Sequence, residues 1–424
     1  MSISFEKSPV YRTVLDNGIV LLVHENPTAD IIAGRIFVRA GNCYEPTDKS
    51  GLGHLLSAVI TKGCAGMSSL EIAETVESIG ASLSADIAAD YFLLSLKTVT
   101  ADFAEIFSLA GKILRSPTFP EAEVELERRL ALQDIRSQSE QPFSVAFDKL
   151  RQAMYQNHPY GLSGLGTEET VRSITREDLL NFHSCYFRPD NMVISIAGNI
   201  TPVAAIDQVE RVFGSWRVIG NIPTSKLILP EIRSQPCYLA TAQHTQQSII
   251  MLGYFAPAVN EPDYAALKLL STYLGNGLSS RLFVELREKR GLAYDVSAFF
   301  PTRLFTSSFV VYMGTAPENT VTALQGLRHE VDLLSQIPLT ETALEAAKNK
   351  IIGQYALGKQ TNAQIAQIYG WYEILDLGVS FDSQFQTMIQ SVTPEDAIAA
   401  ANRYLREPYI SILGQGDAIA GVNG

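Results

Sequence analysis

Cysteine is scarce in this chain, four in 424 residues. Cys43, Cys64, Cys185 and Cys237 form neither a C-x-x-C pair nor a tight cluster with histidine, which excludes a disulfide framework and disfavours a structural zinc module. Reduced, partly buried thiols are the expectation. Long apolar runs are missing as well: charge or glycine interrupts each one well short of the ~20 residues that a membrane span needs. The opening MSISFEKSPVYRTVLDNG has no basic and then apolar leader. A soluble, cytoplasmic protein is therefore expected. Positive charge is in deficit, with 33 Lys and Arg against 45 Asp and Glu and a net charge of -12. That balance opposes nucleic acid and anionic membranes, which require a basic surface. An acidic surface would suit basic peptides, although acidity also serves plain solubility.

What is present is a globular composition, 46% hydrophobic, in a chain long enough for roughly two to four domains. Self-similarity organises it. The segment ITREDLLNFHSCYFRPDNMVISIAG from Ile174 recurs as VTPEDAIAAANRYLREPYISILG from Val392, and one offset lays Thr175, Glu177, Asp178 and Tyr186 on Thr393, Glu395, Asp396 and Tyr404. The same offset carries EVELERRLALQDI onto ETALEAAKNKIIG, with Glu127 on Glu345. A slightly different one lays LLSAVITKG from Leu55 on LLSTYLGNG from Leu269. The chain thus reads as a duplicated domain, residues 1–215 and 216–424, divided at the glycine- and proline-bearing stretch FGSWRVIGNIPTSK.

Each half mixes strand-like and helix-like segments. GIVLLVHE, IIAGRIFVRAG, ASLSADIAADYFLLSLKTV and NMVISIAG have strand character. SSLEIAETVESIG predicts a helix opened by a capping box of Ser68 and Glu71 and ended by Gly80. FPEAEVELERRLALQDI opens a helix with Pro120 in a favourable first-turn position. Strands joined sometimes directly and sometimes through helices predict an α+β fold, two similar tandem domains, each a mixed or antiparallel sheet with helices packed on one face.

The stretch GLGHLLSAV carries the chemical question. Leu52, Leu55, Leu56, Val59 and Ile60 recur at helical spacing and share one face, leaving His54, Ser57 and Ala58 on the other. Histidines at both 54 and 58 with a carboxylate at 57 would grip zinc and activate a water. Only the first histidine is here. His24, His158, His183, His244 and His329 offer no i,i+4 or H-x-H spacing to rebuild such a site, and His158 in HPYG fits a turn or packing role.

Taken in order, LDNGIVLLVHEN, VRAGNCYEP, GLGHLL, EIAETVESIGASLSA, PTFPEAEVE, HPYGLSGLGTEETVRSIT, FRPDNMVISIAGNI and SSRLFVELREKRGLAYDVSAFF resemble the M16 (pitrilysin and insulinase) metallopeptidases. The similarity is greatest to subfamily M16B, the mitochondrial processing peptidases and their bacterial relatives. It implies the M16 fold of two similar α+β domains per chain, with two chains closing around a peptide chamber. Active members carry an inverted motif H-x-x-E-H on this helix and a distal glutamate as third ligand. Mapped onto this chain, His54 is kept, Ser57 replaces the general base, Ala58 replaces the second histidine, and the distal position falls on Asp134. Glu127, two turns earlier on that helix, is retained, and Ser84 stands where many active members have asparagine. A serine cannot serve as a carboxylate base, and a methyl group offers no lone pair, so no metal is expected in this chain.

The resemblance also implies that an arginine and a tyrosine of the second domain reach the substrate backbone and the developing oxyanion. LREKRGLAY places Arg287 and Tyr294 at that spacing. A lost zinc motif beside a kept Arg/Tyr pair resembles the non-catalytic subunits of M16B heterodimers. The expectation is a chain inactive alone that lends Arg287 and Tyr294 to a chamber shared with a zinc-bearing homologue, zinc residing in that partner and unfolded peptides serving as substrate. A homodimer is the other assembly considered, and a scaffold or peptide-binding relative without a proteolytic role is the alternative function. The long glycine-rich loop of mitochondrial non-catalytic subunits has only the short LGNGLSSRLF in its place. The sheet edge at SLSADIAADY is the candidate for peptide binding by strand addition.

Overall fold

A computed structural model of the protein describes residues 10–217, 227 and 229–420. Its contacts divide the chain into two units, each discontinuous in sequence. One comprises Met1–Ile135, Ser163–Ile228 and Ala356–Asp382, the other Arg136–Leu162, Leu229–Tyr355 and Ser383–Gly424. Of the stretch assigned to the domain junction, residues 218–226 lie outside the described residues.

The strands are β1 (Tyr11–Val14), β2 (Val20–Glu25), β3 (Ile31–Val38), β4 (Gly63–Cys64), β5 (Met67–Ser68), β6 (Ser82–Ile87), β7 (Phe92–Val99), β8 (Met192–Gly198), β9 (Tyr238–Ala242), β10 (Ser248–Ala256), β11 (Asp295–Phe299), β12 (Ser307–Thr315) and β13 (Tyr409–Gly414). In the first unit six of them form a mixed sheet in the order β1-β2-β8-β3-β7-β6. Only the β2–β8 pair is parallel. In the second unit the order is β11-β12-β10-β13-β9, with β13 and β9 parallel. The two short strands β4 and β5 make a separate hairpin.

Strand β3 shows why each sheet needs cover on both sides. Successive side chains point to opposite faces. Ile32, Ile36 and Val38 join a core with Leu55, Leu56 and Val59 of the helix Leu52–Val59 and with Ile106, Phe107 and Ala110 of the helix Phe103–Arg115. Phe37, on the reverse face, is equally buried. What covers it is the helix Asn362–Ile374, from the other half of the sequence. Gly370 permits that approach, because a Cβ there would fall 2.3 Å from the Phe37 ring. Arg35 on the same face reaches the same helix, its Nε donating to Gln367 Oε1 at 3.2 Å.

The second unit repeats the arrangement. Tyr254 turns toward Arg328 and Asp332 of the helix Thr320–Gln336. The neighbouring Gly253 faces the other way, where a Cβ would meet Met154 Sδ at 2.6 Å. Met154 belongs to the helix Pro142–Met154, drawn from the first half of the sequence. Ser411 of β13 fastens that helix by donating to the Ala146 carbonyl at 2.8 Å. The α+β architecture of two similar sheets is thus the expected one. To the expected helical layer each sheet adds a reverse-face helix from the opposite half.

Two of the residue pairs that carried the sequence repeat are helix caps. Thr175 and Thr393 each accept from the backbone N–H three residues on, while Asp178 and Asp396 accept from the threonine backbone N–H in return. Ser68 and Glu71 form the predicted capping box of the helix Ser69–Glu77, and Gly80 follows with φ +63°. None of the four cysteines is joined in a disulfide among the described residues; Cys43 and Cys64 are buried and Cys237 is exposed. Among the described residues no helix is long and apolar enough to cross a membrane.

Candidate functional site

The helix Leu52–Val59 is positioned from its N-terminus. Gly51 enters it with φ +94°, a conformation that a side chain disfavours. Glu45, six residues earlier, is buried against the helix start. Its Oε2 accepts from the Gly51 N–H at 2.8 Å, and its Oε1 accepts from the Gly53 N–H at 3.0 Å and from Asn42 Nδ2 at 2.6 Å. A carboxylate facing unpaired N–H groups is well placed in the field of a helix N-terminus. Burial nevertheless dominates and pushes the carboxyl up to about 7. Sequence reasoning missed Glu45; the available signal was an acid shortly before a helix that a glycine, Gly51, introduces.

The helix holds the mapped zinc-motif residues in place but not with metal-binding chemistry. Ser57 is buried, at 8% exposure, rather than on the open side of the helix. Its hydroxyl donates to the His54 carbonyl at 2.8 Å, one turn back along its own helix. Ala58 is half-buried and presents a methyl group. His54 is half-buried too, and desolvation lowers its pKa while the Asp134 and Glu127 carboxylates oppose that shift. Both acids therefore lie within electrostatic reach of the imidazole. Seven residues apart on the helix Glu121–Glu140, they share one face of it.

So the structure does bring together His54, Glu127 and Asp134. Glu127, however, is engaged by a cation already on the chain: Lys62 Nζ lies 3.2 Å from its Oε1. Zinc requires a convergent set of three or four nitrogen, sulfur or oxygen donors. Among the described residues no group of three or more His, Cys, Asp and Glu side chains is disposed to hold a metal ion. The donor set among the described residues does not fit a catalytic zinc. His158 is confirmed as a turn residue, its Nδ1 accepting from the Tyr160 N–H at 3.1 Å.

Arg287 and Tyr294 lie in the second unit. Arg287 stands on a π-helical turn, Phe283–Glu288, where the Lys289 N–H reaches back five residues to the Val284 carbonyl at 3.0 Å. Such wide turns are frequent at functional sites. Arg281 and Lys289 around it pair with Glu285, and Arg281 also pairs with Glu330. Arg287 forms no ion pair among the described residues; its guanidinium carbon sits 5.0 Å from the centroid of the Phe283 ring. Tyr294 is 61% exposed, its backbone N–H tied to the Gly314 carbonyl at 2.9 Å. Its hydroxyl takes no partner among the described residues. The result is two polar side chains on fixed backbone with their donors free.

Strand β6 is the outer strand of the first sheet and pairs with β7. Beside it lies a concavity of about 500 Å³, whose lining includes Arg35, Ser84, Asp86, Tyr91, Lys97 and Gln367. The segment LGNGLSSRLF contains a turn at Gly277, φ +82°, that leaves Leu278 74% exposed.

Comparison with known proteins agrees with this geometry. Residues 20–168 match the family model described as Insulinase (Peptidase family M16), and residues 173–351 match that described as Peptidase M16 inactive domain. The chain is 28% identical over 359 residues to a Bacillus subtilis (strain 168) protein named uncharacterized zinc protease YmxG, covering 84% of this chain and 87% of that one. It is 26% identical over 412 residues to uncharacterized zinc protease SCO5738 of Streptomyces coelicolor, covering 96% and 89%. Among solved structures, a peptidase M16 inactive domain from Pseudomonas fluorescens superposes with TM-score 0.88 at 24% identity, covering 96% of this chain and 98% of that one. A protease from Helicobacter pylori gives the same score at 22% identity, covering 95% and 98%. Two M16 family models in tandem, together spanning most of the chain and laid over two similar sheets, make this chain a member of the M16 peptidase family.

Proposed function

We propose that the protein is the non-catalytic subunit of an M16B-type zinc peptidase, lending Arg287 and Tyr294 to a peptide chamber whose zinc is supplied by a homologous partner. The observation that carries this reading is the contrast between the two sites. At the first, the base and one imidazole are gone, Ser57 is turned onto its own backbone and Glu127 is paired with Lys62. At the second, an exposed arginine and an exposed tyrosine keep unspent donors on rigid backbone. Donors held toward a carbonyl oxygen contribute most where charge develops during peptide cleavage, and they do so without a metal of their own. The outer strand β6 would take the peptide as an added strand, main chain to main chain.

The test is reconstitution with an unfolded peptide. The chain alone is expected to bind no stoichiometric zinc and to cleave nothing; mixed with an M16B homologue that retains H-x-x-E-H, it is expected to restore cleavage. Arg287→Ala and Tyr294→Phe should each lower that cleavage by about 10²-fold or more, the scale for removing one transition-state donor. Their thermal unfolding should stay within about 0.5 kcal/mol of the parent, as for exposed side chains outside the core. Cleavage by the isolated chain would overturn the proposal. An inert mixture would favour the second reading, a peptide-binding scaffold.

A further inference from the structure

The duplication places a second candidate site in the other unit. The offset that lays Leu55 on Leu269 sets Lys268 where the first half has His54. Lys268 lies on the helix Tyr264–Gly275 and lines a cavity of about 610 Å³, within the size range of small-molecule sites. We propose that this cavity binds a small organic carboxylate with an apolar body, its charged end seated on the Lys268 ammonium.

Three observations support the assignment. First, Lys268 is a half-buried cation with no counter-ion among the described residues. Its Nζ donates to the Phe300 carbonyl at 2.6 Å and lies over the Tyr264 and Phe300 rings at 5.6 and 5.1 Å, but no carboxylate among the described residues pairs with it. Burial alone pulls it down to about 8. A desolvated ammonium is costly unless an anion joins it, and a carbonyl and two ring faces supply only partial charge. Second, no Asp or Glu among the described residues lines the cavity, so an entering anion meets no like charge from them. Third, the rest of the lining suits a molecule with two ends: Phe299, Phe385 and Ile351 are apolar, while Asn276 and Gln354 form an amide pair at 2.9 Å. The competing account is that Lys268 only straps its helix to β11 through Phe300.

The full-length protein is titrated by calorimetry with 4-phenylbutyrate and with its uncharged counterpart 4-phenylbutyramide. Expected is saturable binding of the carboxylate, at least tenfold weaker binding of the amide, and at least tenfold weaker carboxylate binding in Lys268→Met, with Lys268→Arg keeping most of it. No binding, equal binding of the amide, or wild-type affinity in Lys268→Met would overturn the proposal. Should Lys268→Met fail to fold, acetylation of the wild-type protein by acetic anhydride is mapped by mass spectrometry. There 4-phenylbutyrate should slow modification of Lys268 specifically; an unchanged rate would overturn the proposal equally. Neither readout involves Arg287, Tyr294 or a zinc-bearing partner, so this site and the proposed peptidase role stand or fall separately.

Discussion

At the scale of single residues, His54 has a hydroxyl and a methyl group beside it on its helix, and one buried acid holds the start of that helix. Glu45 is ordinarily half-ionised near pH 4.5, and burial raises that to about 7 in the folded chain. Between those values the folded protein keeps a proton that the unfolded chain releases. The contribution of Glu45 is therefore full below about pH 4.5 and is lost as the pH rises through about 7. The full swing is about 3 kcal/mol. Urea unfolding of wild type and Glu45→Gln across that window should show the difference in slope. The variant should also be about 1–2 kcal/mol less stable at low pH, because an amide has one acceptor oxygen for the three donors on Gly51, Gly53 and Asn42. Parallel slopes would show that Glu45 does not titrate there. That Ser57 and Ala58 offer neither a carboxylate nor an imidazole beside His54 was legible in the sequence, because helical geometry fixes which positions can share an ion. Lys62 answering Glu127 was not: that pair joins two segments whose approach no local pattern encodes.

At the scale of elements, the repeat was visible because capping leaves a spaced signature. Thr175 and Asp178 start one helix as Thr393 and Asp396 start its counterpart, each hydroxyl satisfying an N–H that would otherwise lack a partner. Replacing either threonine by alanine should cost about 1 kcal/mol. The double variant should show the sum to within about 0.5 kcal/mol, since the caps share no partner. Chemical denaturation of the three variants measures this, and a clear excess in the double would reveal coupling between the caps. The helices Pro142–Met154 and Asn362–Ile374 were harder to place. An amphipathic pattern says that a helix has an apolar side; it does not say which sheet that side will meet. The two glycines that allow their approach, Gly253 and Gly370, gave no sign of it, because close packing against Met154 and Phe37 is a property of the folded pair.

At the scale of the whole molecule, neither linear half can complete its own sheet. A fragment of residues 10–217 would lack the helix Asn362–Ile374 and so bare the face carrying Phe37, Val193 and Ala197. It should bind a hydrophobic dye such as ANS and aggregate, and a peptide of residues 356–382 added in trans should reduce both effects. A fragment that is monomeric, dye-silent and cooperatively unfolding would refute this dependence. The duplication, the α+β class and the family were legible from the order of motifs; the exchange of cover between halves was not. It has a consequence during synthesis. At ordinary elongation speeds a ribosome reaches Ile374 about 10–30 s after completing Gly198, the end of the last strand of the first sheet. Through that interval the nascent chain carries a finished sheet with one greasy side bare, a standing invitation to chaperones and a hazard wherever many copies are translated side by side.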